Sequence, residues 1–287
     1  MIQTPAPAGV WIITPGHVLT RFPTARDCGA DVALVDLEDS VPDPAKADAR
    51  QGARSFFTTP APQGCTLGIR INSPTTREGI RDLVAVADYP VKPQIILIPM
   101  VESPRDVEIV GGAISSPGYT PHLYALIETP RAVEDLPSIV RAERIAGVLF
   151  GTADYAAATG SGRGWEPMLH ARSRLITSAA AAGIPAIDSP FFDLDDNDAL
   201  RCEAKRAKDL GFAGKSCVHP RQLSTLTEVF RPTEEEIATA RAIVASADQA
   251  GGRIVRVGHQ MVGPPMVRAA KDLLSRAAAR TPLAVTA

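Results

Sequence analysis

The chain has 287 residues, 45% of them hydrophobic, and its 30 Lys and Arg against 32 Asp and Glu leave a net charge of −2. Such a length allows one large barrel or two smaller domains, and the balanced charge, with no basic stripe interleaved with aromatics, excludes nucleic acid and anionic membrane as expected partners. Four cysteines, Cys28, Cys65, Cys202 and Cys217, lack CxxC or metal-ligand spacing, so neither a zinc site nor a disulfide framework is expected and a reducing cytoplasm is the expected compartment.

The opening MIQTPAPAGVWIIT carries no basic, apolar leader, and residues 3–8 read as a loose tail. No run approaches the ~20 apolar residues of a membrane helix. From there, short apolar runs at 10–14, 32–37, 67–71, 94–99, 123–127, 145–150, 184–187 and 214–218 alternate with helix-like stretches at 44–57, 76–87, 103–111, 131–140, 167–182 and 196–210. Ser103 before Pro104 and Thr129 before Pro130 are helix starts, the hydroxyl capping and the proline fitting the first turn. Alternation of this kind predicts a parallel sheet with helical crossovers, and eight runs are the number a (β/α)8 TIM barrel needs. The expected fold class is therefore α/β, with the barrel spanning 1–230.

After Phe230 the pattern changes. Three glutamates at 234–236 open a helix running towards Ala250; a Gly251-Gly252 break, a strand-like 254–257 and a second amphipathic helix follow. Residues 231–287 are too few for a comfortable independent domain. They are read as a C-terminal helical segment that packs on the barrel or on another subunit, as a cap, a lid or an oligomerisation element.

The carboxyl ends of the strands form the active-site face of a parallel barrel. The stretch DVALVDLEDS at 31–40 buries an apolar run and then ends in Asp36, Glu38 and Asp39, carboxylates that need water, cations or a metal. Later runs end in Arg70 and Asn72, Met100 and Glu102, Glu128, Asp154, Asp188 and His219. Carboxylates from two strands, with waters completing the shell, suit Mg2+ or Mn2+, which makes Glu128 and Asp154 candidate ligands. Their structural alternatives are a helix-start carboxylate for Glu128 and a helix cap for Asp154. For Arg70 the alternative is an ion pair with Glu38 or Asp39.

Taken in order, VALVDLEDSVPDPAKADAR, GIRINSPTT, ALIETPRAV, GTADYAAATG, AGIPAIDSPFFDLDD, LGFAGKSCVHPRQ and FRPTEEEIATAR resemble the HpcH/HpaI aldolase and citrate lyase superfamily, nearest its citrate lyase β-subunit-like (CitE-like) branch, over nearly the whole chain. The resemblance implies a TIM-barrel enzyme, homotrimeric or hexameric, that holds Mg2+ (or Mn2+) through Glu128 and Asp154. It implies carbon–carbon lyase or aldolase chemistry beside a carbonyl, on an acyl-CoA or acyl-carrier-protein thioester or a 2-oxo acid. By the same resemblance Arg70 binds the substrate carboxylate or enolate oxygen, Glu38 and Asp39 support the metal and its waters, and Pro99, Gly151, Thr152 and Ala153 line the substrate. The residue types suit that chemistry, because a dication and an arginine both stabilise charge developing on an enolate oxygen.

Two departures stand out. Met100 in IPMVES replaces a lysine of LPKVES, and Gly263 in HQMVGPP replaces an aspartate implicated in thioester chemistry, leaving His259 as the titratable side chain there. The alternative of another class is a catalytically silent barrel serving as a binding or scaffold subunit, against which Glu128, Asp154 and Arg70 all argue.

Overall fold

Residues 8–250 and 253–280 are described by the structure, a computed structural model, and they divide into two compact units at Phe230 and Arg231. Most of the tail expected at 3–8, and the Gly251-Gly252 break, lie outside the described residues.

In the first unit eight parallel strands close a barrel in chain order: β1 (Gly9–Pro15), β2 (Val32–Asp36), β3 (Thr66–Arg70), β4 (Ile95–Ile98), β5 (His122–Ile127), β6 (Ile145–Phe150), β7 (Ala186–Asp188) and β8 (Gly214–Cys217), which pairs back with β1. This is the expected TIM barrel. The seventh strand begins two residues later than its apolar run. Gly183 turns left-handed at φ 69° to end the helix Trp165–Ala182, the Ile184 N–H donates back to Ala179 O, and Pro185 has no N–H to give a ladder.

Strand side chains alternate between two cores. Trp11, Val32, Leu34, Ile95, Leu97, Tyr124, Leu126, Leu149 and Ile187 fill the barrel interior, with Trp11 edge-on to Tyr124 at 4.7 Å. Their neighbours, Val35, Ile69, Ile96 and Ile98 among them, pack outward with helix residues such as Ala49, Leu83, Val107 and Val110. Each fully buried aliphatic side chain contributes roughly 1.5–3 kcal/mol. The interior is mostly apolar up to the carboxyl ends of the strands, where Asp36 continues the face of Val32 and Leu34, and Glu128 that of Leu126.

Local signals set the helices. Thr76 accepts the Gly79 N–H at the start of Arg77–Ala87, Ser103 and Asp106 form a capping box on Pro104–Ile114, and Thr129 accepts the Ala132 N–H on Pro130–Glu134. The stretch expected as one helix at 131–140 is two, Pro130–Glu134 and Leu136–Ile139, because Pro137 would clash with the carbonyl four residues earlier. A helix not anticipated, Thr152–Thr159, follows β6 directly and carries Asp154.

In the second unit, Thr233 and Glu236 form a capping box that starts the helix Glu234–Gln249. An antiparallel hairpin, Val255–Val257 with Gln260–Val262, leads to the helix Pro264–Arg280. No helix among the described residues is long and apolar enough to cross a membrane.

Candidate active site

Asp36 ends β2 and Arg70 ends β3, and the two are register partners on the inward face. Arg70 donates from Nε to Asp36 Oδ1 and from Nη2 to Oδ2, both at 2.7 Å. The chain beyond β2 then folds over the same carboxylate, which accepts the N–H groups of Glu38 (2.9 Å) and Ser40 (3.1 Å) and the Ser40 hydroxyl. Burial alone would raise the pKa of Asp36, but the Arg70 guanidinium and these hydrogen bonds hold it below the ordinary value. Burial works against the charge of Arg70 as well; Asp36, Glu38 and Asp39 outweigh it and keep the guanidinium ionised.

The ion pairs considered for Arg70 with Glu38 and Asp39, which lie past the strand end, are both present, beside a hydrogen-bonded one with Asp36. Glu38 Oε2 sits 2.7 Å from Arg70 Nη1 but off the N–H axis, so no hydrogen bond reaches it, and Asp39 Oδ2 is 3.5 Å away. Arg70 commits one edge to Asp36 and turns Nη1 towards acids that do not saturate it.

Glu128 follows β5 and is 2% exposed. Its Oε1 accepts the Met100 N–H at 2.7 Å, and Met100 has φ +53°, a left-handed conformation that costs a non-glycine residue roughly 1–2 kcal/mol. That turn after β4 aims the amide at the carboxylate. On the other side, a Cβ at Gly151 would lie 2.6 Å from Glu128 Cβ and 2.7 Å from Oε2, so only glycine leaves the carboxylate its place. Burial raises the pKa of Glu128, the charges of Glu38 and Asp154 add to it, and the Met100 N–H and Arg70 do not offset them; the carboxyl stands well above its ordinary value. Glu38 is pushed up to about 7 by burial, with Asp39, Asp36 and Asp154 reinforcing that against Arg70. Asp39 is raised too, by burial first, against Arg70.

Glu38, Asp39, Glu128 and Asp154 therefore share one field around Arg70, and the acids outnumber the cations. Asp154 stands exposed in the first turn of Thr152–Thr159, whose N-cap is Gly151, and its side chain accepts no hydrogen bond among the described residues, so it does not serve as the helix cap. Thr152 and Pro99 are buried beside these groups in sequence, and Ala153 is half-buried. Among the described residues no three His, Cys, Asp or Glu side chains converge into a closed metal cage. Mg2+ and Mn2+ do not need one, since they are held by one or two carboxylates and keep their waters. A buried carboxylate with a raised pKa, a second carboxylate without a partner and an excess of negative charge together fit such a dication.

Asp188 and His219 are engaged with other partners. Asp188 faces outward, between the barrel and its helices, where it accepts from Arg172 Nε (2.9 Å) and Lys215 Nζ (2.6 Å). His219 accepts the Arg221 N–H through Nδ1 (3.1 Å) and caps a turn. Sequence reasoning did not assign Asp36 as the anchor of Arg70, although the period-two face Val32, Leu34, Asp36 carries that signal. It also missed Lys46, which is buried beneath the loop after β2 and has no mark in a single sequence.

Residues 12–220 match the model of the HpcH/HpaI aldolase/citrate lyase family. The chain is 30% identical to the citrate lyase subunit beta-like protein of Mycobacterium tuberculosis, over 94% of this chain and 96% of that protein. It is 32% identical to a (3S)-malyl-CoA thioesterase of Cereibacter sphaeroides, over 92% of this chain and 93% of that protein. Among solved structures it is similar to protein CitE of M. tuberculosis in complex with magnesium, acetoacetate and coenzyme A, with a TM-score of 0.79, 29% identity, and coverage of 95% of this chain and 99% of that one.

Proposed function

The chain belongs to the HpcH/HpaI aldolase/citrate lyase family, and we propose that within it the protein is a Mg2+-dependent (or Mn2+-dependent) carbon–carbon lyase or aldolase. Its substrate is a small carboxylate-bearing 3-hydroxyacyl thioester, on CoA or a carrier protein, or a 2-oxo acid. The observation that supports this most is the mouth itself: Arg70, anchored by Asp36, and buried Glu128 share a field of surplus acids. The magnesium, acetoacetate and coenzyme A of the M. tuberculosis structure are the ligand classes this reading expects.

Glu128 and Asp154 would hold the metal, with Glu38 and Asp39 on its waters. When bound, a dication supplies Lewis acidity where negative charge develops on oxygen. In the cleavage direction the substrate hydroxyl loses its proton, the adjacent carbon–carbon bond breaks to leave a carbonyl on one fragment, and its electron pair becomes the enolate of the other. Arg70 presents Nη1 to the enolate or carboxylate oxygen, and the bidentate grip of Asp36 fixes its orientation beforehand. Glu38, whose Oε2 lies 2.7 Å from Arg70 Nη1, is the carboxylate placed to take and return the proton. Pro99, Gly151, Thr152 and Ala153 line the substrate, Gly151 by leaving room beside Glu128. The same proposal makes 1–230 the catalytic domain and 231–287 a lid and oligomerisation segment of a cytoplasmic homotrimer or hexamer.

Product analysis tests the reaction. Purified protein with Mg2+ is offered malyl-, citramalyl- and citryl-CoA and, separately, 4-hydroxy-2-oxo acids. Carbon–carbon cleavage, seen as a free oxo acid plus a shortened thioester or as pyruvate plus an aldehyde, is expected. Release of free CoA thiol alone would make the protein a thioesterase instead.

A further inference from the structure

Beneath the ends of β2 and β3 runs a chain of buried polar groups that the chemistry above does not use. Lys46, the first residue of the helix Lys46–Ala53, is 9% exposed. Its Nζ donates to Leu37 O (3.0 Å), Glu38 O (2.8 Å) and Asn72 Oδ1 (2.8 Å), so the three ammonium protons meet three neutral oxygens. Asn72 Nδ2 donates to Leu37 O (2.8 Å) and to Asp82 Oδ2 (2.7 Å), and the Asn72 N–H meets the same oxygen at 2.7 Å. Arg50 closes the far end through Asp82 (2.6 Å) and Glu78 (2.5 Å).

A lysine is rarely this buried, and removing an ammonium from water without a counter-ion is costly. Lys46 makes no ion pair among the described residues; two of its three acceptors are the backbone carbonyls of the residues that lead from Asp36 into the acidic loop. The Leu37 N–H is itself tied to Arg70 O at 2.9 Å. Residues 37 and 38 are therefore held from both sides, and Glu38 projects from that fixed backbone to within 2.7 Å of Arg70. We propose that Lys46 is a positioning residue whose ammonium clamps the end of β2, so that Glu38 is presented to Arg70. The kinetic consequence rests on the lyase reading; the positioning does not.

The test compares Lys46→Met, which keeps the stem and removes all three donors, with Arg50→Met, which breaks the same network at its far end. In Lys46→Met, amide exchange at Glu38 and Ser40, whose N–H groups both donate to Asp36, should speed up by about tenfold or more, with Ile80 in the adjacent helix unchanged. Its kcat should fall on the order of 10- to 100-fold while KM moves by about threefold or less. Arg50→Met should lower the melting temperature without moving either reading. If Lys46→Met does not fold, Lys46→Gln, which retains one amide donor group, is read in the same way. Parental exchange rates at Glu38 and Ser40 overturn the proposal, as does faster exchange with kcat unchanged. If the parent cleaves no carbon–carbon bond, exchange alone decides whether Lys46 positions Glu38, and the lyase reading fails separately.

Discussion

Two of the buried arginine–aspartate pairs among the described residues, Arg70–Asp36 and Arg172–Asp188, differ in what surrounds them. Asp36 and Asp188 are both fully buried; burial alone would raise the pKa of each, but the neighbouring cations and hydrogen bonds together hold both below the ordinary value. Around Asp188 the cluster is closed and balanced. Arg172 and Lys215 face Asp188 and Glu203, and the Arg172 guanidinium lies 4.5 Å over Trp165 and 5.7 Å over Phe150. Around Asp36 it is open and unbalanced: Arg70 is 12% exposed, and Glu38, Asp39, Glu128 and Asp154 share its field. Buried ion pairs of similar geometry thus serve different ends. A charge-balanced cluster joins strands to helices, whereas the surplus negative charge around Arg70 is what the proposed cation would offset.

The largest expected effect falls on the sealed pair. Asp188→Ala leaves Arg172 and Lys215 buried without their shared carboxylate, a loss of about 3–5 kcal/mol of stability. Denaturant unfolding should show it, while kcat/KM of the folded fraction stays parental. At the open pair the balance reverses. Arg70→Lys keeps a charge for Asp36 but loses the fork, so kcat/KM should fall on the order of 10²-fold, about 2.7 kcal/mol, with a smaller stability loss than Asp188→Ala. A large drop in melting temperature with kcat/KM preserved would make Arg70 as structural as Arg172.

The smallest effect is a titration. Glu38 is raised from 4.5 to about 7 in the fold, so its contribution to stability is fully present below 4.5 and is lost as pH rises through about 7. Metal-free protein should accordingly lose some thermal stability across that window, and Glu38→Gln should flatten the slope. Added Mg2+ should reverse it, since a cation favours the ionised acids. Asp188 titrates on the other side: its stabilisation is present above 3.8 and is lost only as pH falls below that. A neutral-range slope that survives Glu38→Gln would place its source elsewhere.

Much of this was legible in the sequence, for physical reasons. Buried parallel strands must be apolar throughout, so eight short runs gave the barrel, and Ser103, Thr129 and their prolines gave helix starts that the structure contains. Glu128 and Asp154 stood out because a carboxylate at the end of such a run has few other uses. Asp188 shares that pattern and misleads, because a strand of three residues is too short for its period to reveal which face the last side chain takes. Nor could Lys46 be found, since a lysine in the first turn of a helix ordinarily reads as solvated. The left-handed turn at Met100 was hidden too, as methionine gives no hint of positive φ.

The most direct test of the central claim, that the open mouth holds a divalent metal between Glu128 and Asp154, is calorimetric titration of Mg2+ and Mn2+ into the parent, Glu128→Gln and Asp154→Asn. Gln keeps an oxygen for the Met100 N–H, so the fold around β5 is retained while the charge is removed. One site is predicted in the parent, with binding lost or weakened by on the order of tenfold or more in both variants. Parental affinity in both variants would contradict the assignment.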